Sequence, residues 1–371
     1  MVFGSGVASA PLSFFGQWTG ILLLAFGLAW TTVDICAVPL KITVAAVALA
    51  ETILLAWVLY LCGVIWPPFT ALAAGLFAVG FGGLYGFSKP GRRKRDIEAV
   101  FGGRISRATF CQLLDSDEPV AFAGEERVAT MVVCQIFNRQ ELASTLTAPD
   151  FMAFSNGFLQ AGSQALIDAG GVLTECGEGR FSAVFGAPLS TSDHAAKACR
   201  AAFALAHRLE AFRMEAFERW NADADYRIAV HTGALIAGLG VASSQGGHGG
   251  GFAIAGEAFD YCRWLCKANL TYRTRLLLGP QTLPFAHGAV EARPADLIWN
   301  PDGQWWEEIY EGLALAGDLS SEERKRCEMF WIGVILYRSK RWNEAAAHFQ
   351  AILKEVDDPL SRFYLNRMEG T

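Results

Sequence analysis

The chain has 371 residues, room for one good-sized domain with accessory segments. Its formal charge of −6 argues against a nucleic-acid partner. The hydrophobic content of 52% is high for a soluble protein; the excess lies in residues 14–87, and beyond Lys89 the chain reads as an ordinary globular sequence.

Three apolar stretches, residues 18–38, 42–66 and 69–87, each have roughly the 20 residues that a helix needs to cross a bilayer. Pro39-Leu40-Lys41 and Pro67-Pro68 separate them as tight breaks between antiparallel helices. No Lys or Arg precedes Lys41, and Lys89 and Arg92-Arg93-Lys94-Arg95 follow the third stretch. Placing both basic sites in the cytoplasm predicts three crossings, with the N-terminus outside and everything after Lys89 inside. The missing basic n-region argues against a cleaved signal peptide. Asp34 falls near the cytoplasmic end of its helix. Glu51 falls near the middle of the second helix, where it reads as a protonated carboxyl inside the bundle or as part of an ion relay.

The nine cysteines are odd in number and form no CxxC, which predicts buried, reduced thiols in a cytoplasmic compartment. Residues 89–125 read as a cytoplasmic linker. Ile97, Phe101, Ile105, Cys111 and Leu114 recur at mixed three- and four-residue steps, as in an amphipathic helix broken at Gly102-Gly103.

From Arg127 the pattern becomes α/β. An apolar β-rich run, VATMVVCQIF, precedes a helix over 149–168 with Phe151, Phe154, Phe158, Leu159 and Leu166 inward, closed by Gly170-Gly171. VLTEC, the turn GEG and RFSAVF read as a hairpin. Ser192 or Asp193 caps a long helix running to Trp220. YRIAVHTGALIAGLG reads as two short strands about a Thr-Gly turn. A glycine tract, FAIAG, a helix carrying Phe259, Cys262, Leu265 and Cys266, and the strand RTRLLLG complete the run. The order β-α-β-β-α-β, with a further helix and strand, is the ferredoxin-like split βαβ pattern.

This layout resembles the class III adenylate/guanylate cyclase catalytic domain over about 127–313. The resemblance rests on Gly170-Gly171-Val172, on AVFGAP at 183–188, on Asp193-His194-Ala195 and on His231-Thr232-Gly233. FGGRIS before it resembles the linker of bacterial membrane cyclases that carry an extracellular CHASE sensor; this chain has three apolar stretches and no such sensor. The expected architecture is an α+β ferredoxin-like, class III nucleotide cyclase-type cytoplasmic domain over 126–316. A membrane domain of three transmembrane helices over 1–88 precedes it, and a TPR-like helical tail over 317–371 follows.

The resemblance implies a site in which two aspartates hold two metal ions. The first position falls on Gln135. The second falls on Gly179, with Glu178 as the alternative under a one-residue shift, and Arg180 follows where the family has a small residue. The base-selecting pair falls on Glu175 and Ala253. The transition-state Asn and Arg, which a partner subunit supplies, fall on Asp260 and Trp264. Arg263 is one residue off, a rotation of about 100° that points it away. A late phosphate-anchoring Lys-Gly falls on Asp302-Gly303, and Arg293 reads as a substitute anchor or a surface residue. Gln135 adds no charge, and two hard cations beside a triphosphate need carboxylates.

GGHGGG lacks GK[ST] and opens no helix, so it reads as a flexible hairpin rather than a phosphate loop; His231 and His248 read as surface or structural histidines. In the tail, Trp331, Gly333, Tyr337, Ala345 and Phe349 resemble one tetratricopeptide repeat, which needs a docking surface because one repeat cannot bury its own faces.

These readings predict a membrane-anchored pseudo-cyclase that acts as a regulatory or scaffolding subunit, with no catalytic residue intact and no cofactor. Expected partners are the membrane, a second cyclase-like chain in a homodimer or heterodimer, and a separate membrane or extracytoplasmic sensor protein. The expected location is a bacterial inner membrane. The alternatives are an active adenylate or guanylate cyclase with altered ligands, using Mg²⁺ or Mn²⁺, and a nucleotide-binding sensor without turnover.

Overall fold

The computed structural model describes the chain except residues 1–9, 12–13, 35–37, 63, 66–67, 88, 117–123, 240–251, 301–303 and 370–371. The glycine tract, His248 and Asp302-Gly303 therefore lie outside the described residues. The chain divides into two units, Met1–Ala99 and Val100–Thr371.

In the first unit, β1 (Ala10–Pro11) pairs in parallel with β2 (Val64–Ile65) beside α1 (Phe14–Asp34), α2 (Val38–Leu61) and α3 (Pro68–Phe87). Ile21 and Ala71 are buried, with Leu24, Ala56, Leu59 and Ala74 packed against them. Large apolar side chains turn outward on all three helices: Phe15 is 82% exposed, Trp57 60% and Phe69 83%. Among the described residues no helix is long and apolar enough to cross a membrane; the side chains of 31–42, 63–68 and 85–90 lie outside that description. Glu51 is exposed rather than buried inside the bundle, because its position on α2 falls on the outward face beside Ile53 and Leu54.

The linker forms two helices, α4 (Lys89–Phe101) and α5 (Arg107–Asp115), broken where Gly103 takes φ 73°. Ser106 caps α5, its hydroxyl accepting from the Thr109 N–H at 3.1 Å.

The second unit continues with β3 (Glu125–Ile136), α6 (Arg139–Thr145), α7 (Ala148–Asp168), β4 (Val172–Gly177), β5 (Arg180–Phe185), α8 (His194–Trp220), β6 (Tyr226–Leu239), β7 (Phe252–Ala255), α9 (Glu257–Tyr272), β8 (Leu276–Leu278), α10 (Thr282–Ala286), β9 (Val290–Asn300) and β10 (Trp305–Leu315). The tail is α11 (Ser321–Arg338), α12 (Trp342–Glu355) and α13 (Pro359–Glu369). The sheet runs β4-β5-β3-β6-β8-β10-β9, with β7 on β6. Its first four strands, with α7 and α8, form the ferredoxin-like split βαβ unit predicted from the sequence.

Strand alternation sorts the side chains. Val132, Cys134 and Ile136 of β3, Phe181, Ala183 and Phe185 of β5, and Ile228 and Val230 of β6 face α7 and α8 in one core. Phe158 sits at its centre, 5.5 Å from the Phe181 ring, 6.2 Å from Phe212 and 6.4 Å from Tyr226. Burying such a ring contributes roughly 1.5–3 kcal/mol. A Cβ at Gly162 would lie 2.1 Å from Phe181 Cζ, so a side chain there would push α7 off the sheet. On the opposite face α9 covers the strands, with the Asn269 amide donating to Ile228 O at 3.0 Å.

Three expectations change. The run at 226–239 is one strand, not two about a turn, because Thr232 and Gly233 continue the ladder opposite Thr130 and Ala129. Gly233 serves a close approach instead: a Cβ there would lie 2.8 Å from Ala258 Cβ. Cysteines are not uniformly buried. Every cysteine among the described residues is free, but Cys62, Cys111 and Cys176 are exposed, while Cys262 and Cys266 are buried on the face of α9 turned to the sheet. The long β9–β10 hairpin has no counterpart in the sequence reading.

That hairpin receives the tail. Phe330, Phe349 and Tyr364 form an aromatic core in which the last two stack at 5.1 Å. Tyr364 donates to Ala295 O at 3.1 Å, and Arg367 binds Asp296 at 2.9 and 3.0 Å. Arg293 is neither a surface residue nor a phosphate anchor. It is buried, donating to Glu311 at 2.7 Å and to both Asp358 oxygens at 3.1 and 2.5 Å, with its guanidinium over the Phe330 ring. The tail therefore docks on its own chain.

Candidate functional site

The predicted metal positions meet where the β4–β5 hairpin closes over the end of β3. Gly177 pairs with Arg180, so the turn holds two residues, Glu178 and Gly179. Both take positive φ, 54° and 74°, as in a type I′ turn. Gly179 is buried, its carbonyl accepts from Ile136 N–H at 2.9 Å, and a Cβ would lie 3.1 Å from Arg139 Cδ. An aspartate there would have to accept a left-handed backbone and displace Arg139. Glu178, the alternative ligand, is exposed at the tip.

Gln135 stands opposite Arg180 on one side and Arg227 on the other. Directly opposed residues of antiparallel strands share a face, so an Arg-Gln-Arg row crosses three strands on the face that α9 covers. Arg227 Nη2 contacts Asp225 at 2.7 Å; burial holds its guanidinium below the usual range while Asp225 acts the other way. Glu175 lies between two cations, 3.4 Å from Arg180 Nε and 3.8 Å from Arg263 Nη2. Arg263 is thus engaged within its own chain. It leans over the Phe259 ring toward the hairpin, because α9 lies on this face of the sheet and turns that side of the helix toward β4. Charge neutralisation at Glu175 was not legible in the sequence, since β4, β5 and α9 meet only in the fold.

The remaining predicted positions do not join this group. Ala253 is exposed on β7, Asp260 is exposed in the first turn of α9, and Trp264 is 45% exposed with its ring 5.4 Å from Tyr261. The donor set at Gln135, Gly179 and Glu178 does not fit a divalent cation: it offers one amide, one glycine and one outward carboxylate. Among the described residues no group of three or more His, Cys, Asp or Glu gathers that could hold a metal.

Four residues along β6 from Arg227, His231 occupies a second place on the same face. It is buried rather than on the surface, its ring 4.4 Å from that of Tyr261. A Cβ at Gly279 would fall 2.0 Å from its Nδ1, so the imidazole fits only because residue 279 is glycine. Burial pushes the imidazole down to about 4, with Glu307 pulling the other way, so it is neutral at pH 7.

No family model matches this chain, and no curated protein matches it. Solved structures similar to it are adenylyl and guanylyl cyclases. The guanylyl cyclase Cya2 is 14% identical, with 53% of this chain and 97% of that one covered and a TM-score of 0.47. The adenylyl cyclase CyaB from P. aeruginosa is 17% identical, covering 54% and 100%, also at 0.47. The dimeric guanylyl cyclase domain of the RhoGC fusion protein from the aquatic fungus Blastocladiella emersonii is 18% identical, covering 52% and 99%, at 0.43.

Proposed function

We propose that this chain is a membrane-anchored, catalytically degenerate homologue of the class III cyclases, acting as a regulatory or scaffolding subunit that pairs through its cyclase-like domain. The reading rests on the resemblance, under which Gln135 and Gly179 fall at the two metal-aspartate positions, and on the geometry there, which offers one amide, one glycine and the outward Glu178 carboxylate. Asp260 and Trp264 at the partner-facing positions support it, because a pair of such chains then lacks both halves of a composite site. Metal ions and charged groups that stabilise the transition state supply most of the rate enhancement open to such an enzyme.

The outward apolar side chains of α1–α3 support anchoring in a membrane, with 89–371 on the side of the basic residues that follow Lys89. The domain division at 88, 125 and 316, the bacterial inner membrane and a separate sensor protein belong to the same proposal. A second reading, nucleotide binding without turnover, draws support from Arg180, Arg227 and Arg263 around the hairpin.

The test is cyclase assay of the full chain in detergent with ATP and GTP plus Mn²⁺. The expected result is no cAMP or cGMP above a protein-free control. Cyclic nucleotide formation that is lost in Glu178→Ala would overturn the degenerate reading. Calorimetry with both nucleotides separates the second reading, which fails if no heat of binding is detected.

A further inference from the structure

We propose that the cavity between β6, the first turn of α9 and the start of β10 binds a small organic ammonium ion. The cavity has a volume of about 510 Å³ and is lined by His231, Glu257, Tyr261, Gln281, Trp305 and Glu307, among others. It is within the size range of small-molecule sites. It is separate from the hairpin described above, since His231 is four residues, roughly 13 Å, along β6 from Arg227.

Three observations select the ligand class. The first is charge: among the described residues the lining carries Glu257 and Glu307 and no Lys or Arg. His231 is neutral at pH 7 and offsets neither carboxylate. The positive end of α9 is already met by Glu257 and Asp260 in its first turn. An anion entering here meets net negative charge, and a cation meets two carboxylates.

The second is the aromatic lining. Trp305 and Tyr261 both border the space. The Trp305 indole donates to Glu307 Oε1 at 2.8 Å, and the Asn300 amide donates to the same oxygen at 3.0 Å. Glu307 and the indole are thereby fixed beside each other, a carboxylate next to a π surface. An ammonium carrying apolar substituents satisfies both.

The third is unmet polarity. The Tyr261 hydroxyl and His231 Nδ1 are buried with no hydrogen-bond partner. Burial pushes the Tyr261 phenol up, so it remains a neutral hydroxyl beside Glu307. His231 Nδ1 lies against Gly279, so of the two groups the Tyr261 hydroxyl, on the side of Glu307, is the one placed to meet a ligand or water. A bare metal ion does not fit: two carboxylates and a neutral imidazole spread around a cavity of this size form no coordination shell, and no metal-holding group is present among the described residues.

The experiment is saturation-transfer NMR on the full chain in maltoside detergent, with choline as the probe and 3,3-dimethylbutan-1-ol as its uncharged isostere. Choline is expected to bind saturably and the isostere at least about tenfold more weakly, the discrimination of a charge held by carboxylates and an aromatic face. Trp305→Ala and Glu307→Gln are each expected to weaken choline binding by about fivefold or more while unfolding transitions stay unchanged, since both side chains line the open cavity. The proposal is overturned if choline does not bind, if the isostere binds equally, or if both variants bind like the parent.

Discussion

On the face of the sheet covered by α7 and α8, nearly every inward position is a close-packed apolar residue. On the face covered by α9, the same strands carry Arg180, Gln135, Arg227 and His231 among fewer apolar groups. A single strand contributes to both, since residues of β3 alternate between Cys134 and Gln135. FSAVF on β5, one of the framework stretches that resemble a cyclase, puts Phe181, Ala183 and Phe185 into the closed core. Gln135 and Glu175, two of the positions to which the resemblance gives a role, lie on the other face. Packing requirements therefore preserve one face whatever becomes of the reaction, whereas the chemistry of the other is free to change without loss of the fold.

That contrast can be broken by mutation. Phe158→Ala removes a ring at the centre of the closed core and is expected to cost about 3–5 kcal/mol in chemical denaturation, while Gln135→Ala on the opposite face is expected to change stability by less than about 1 kcal/mol. Equal losses at the two sites would mean that the polar row is a structural element in its own right.

The next effect concerns the tail. Arg293→Met leaves Glu311 and Asp358 buried without their cation, and removing one partner of a buried pair costs about 3 kcal/mol or more. Hydrogen exchange should show faster exchange in α13 with β3 unaffected. Protection of α13 equal to that of the parent would show that the aromatic cluster alone holds the tail.

A smaller effect is the pH dependence of the same contact. Burial pushes the Glu311 carboxyl above its ordinary 4.5, although Arg293 pulls it down. Burial also raises Asp358, but Arg293 and the Ser361 hydrogen bonds outweigh it and leave that carboxyl below its ordinary 3.8. A raised group contributes stability below its unfolded value and loses it as pH rises; a depressed one contributes above its unfolded value and loses it as pH falls. Docking of the tail should therefore tighten slightly from pH 7 toward about 4.5 and weaken as pH falls below 3.8. Protection factors in α13, corrected for the intrinsic pH dependence of amide exchange, that change monotonically with pH across this range would contradict those assignments.

Local patterns in the sequence revealed much of this. The period of α7, the Gly-Glu-Gly turn and the alternation in RFSAVF are all properties of neighbouring residues, so the split βαβ order could be read directly. The Thr-Gly of β6 misled because the pair also occurs in turns; the ladder to β3 keeps it extended. The partner of Arg263, Glu175, was hidden because the angle between residues on one helix does not say which strand the helix faces. Arg293 was unreadable because its partners, Glu311 and Asp358, are 18 and 65 residues away.

Residue identity and short-range spacing were enough for the order of elements in the split βαβ unit and for the apolar N-terminal region. Long-range packing had to be seen to know that Glu175 is held between two arginines, that the tail docks on its own chain and that His231 and Tyr261 border a cavity with Trp305. Those arrangements join strands and helices distant in sequence, and burial, which sets both their charge states and their unmet hydrogen bonds, exists only once the elements have packed.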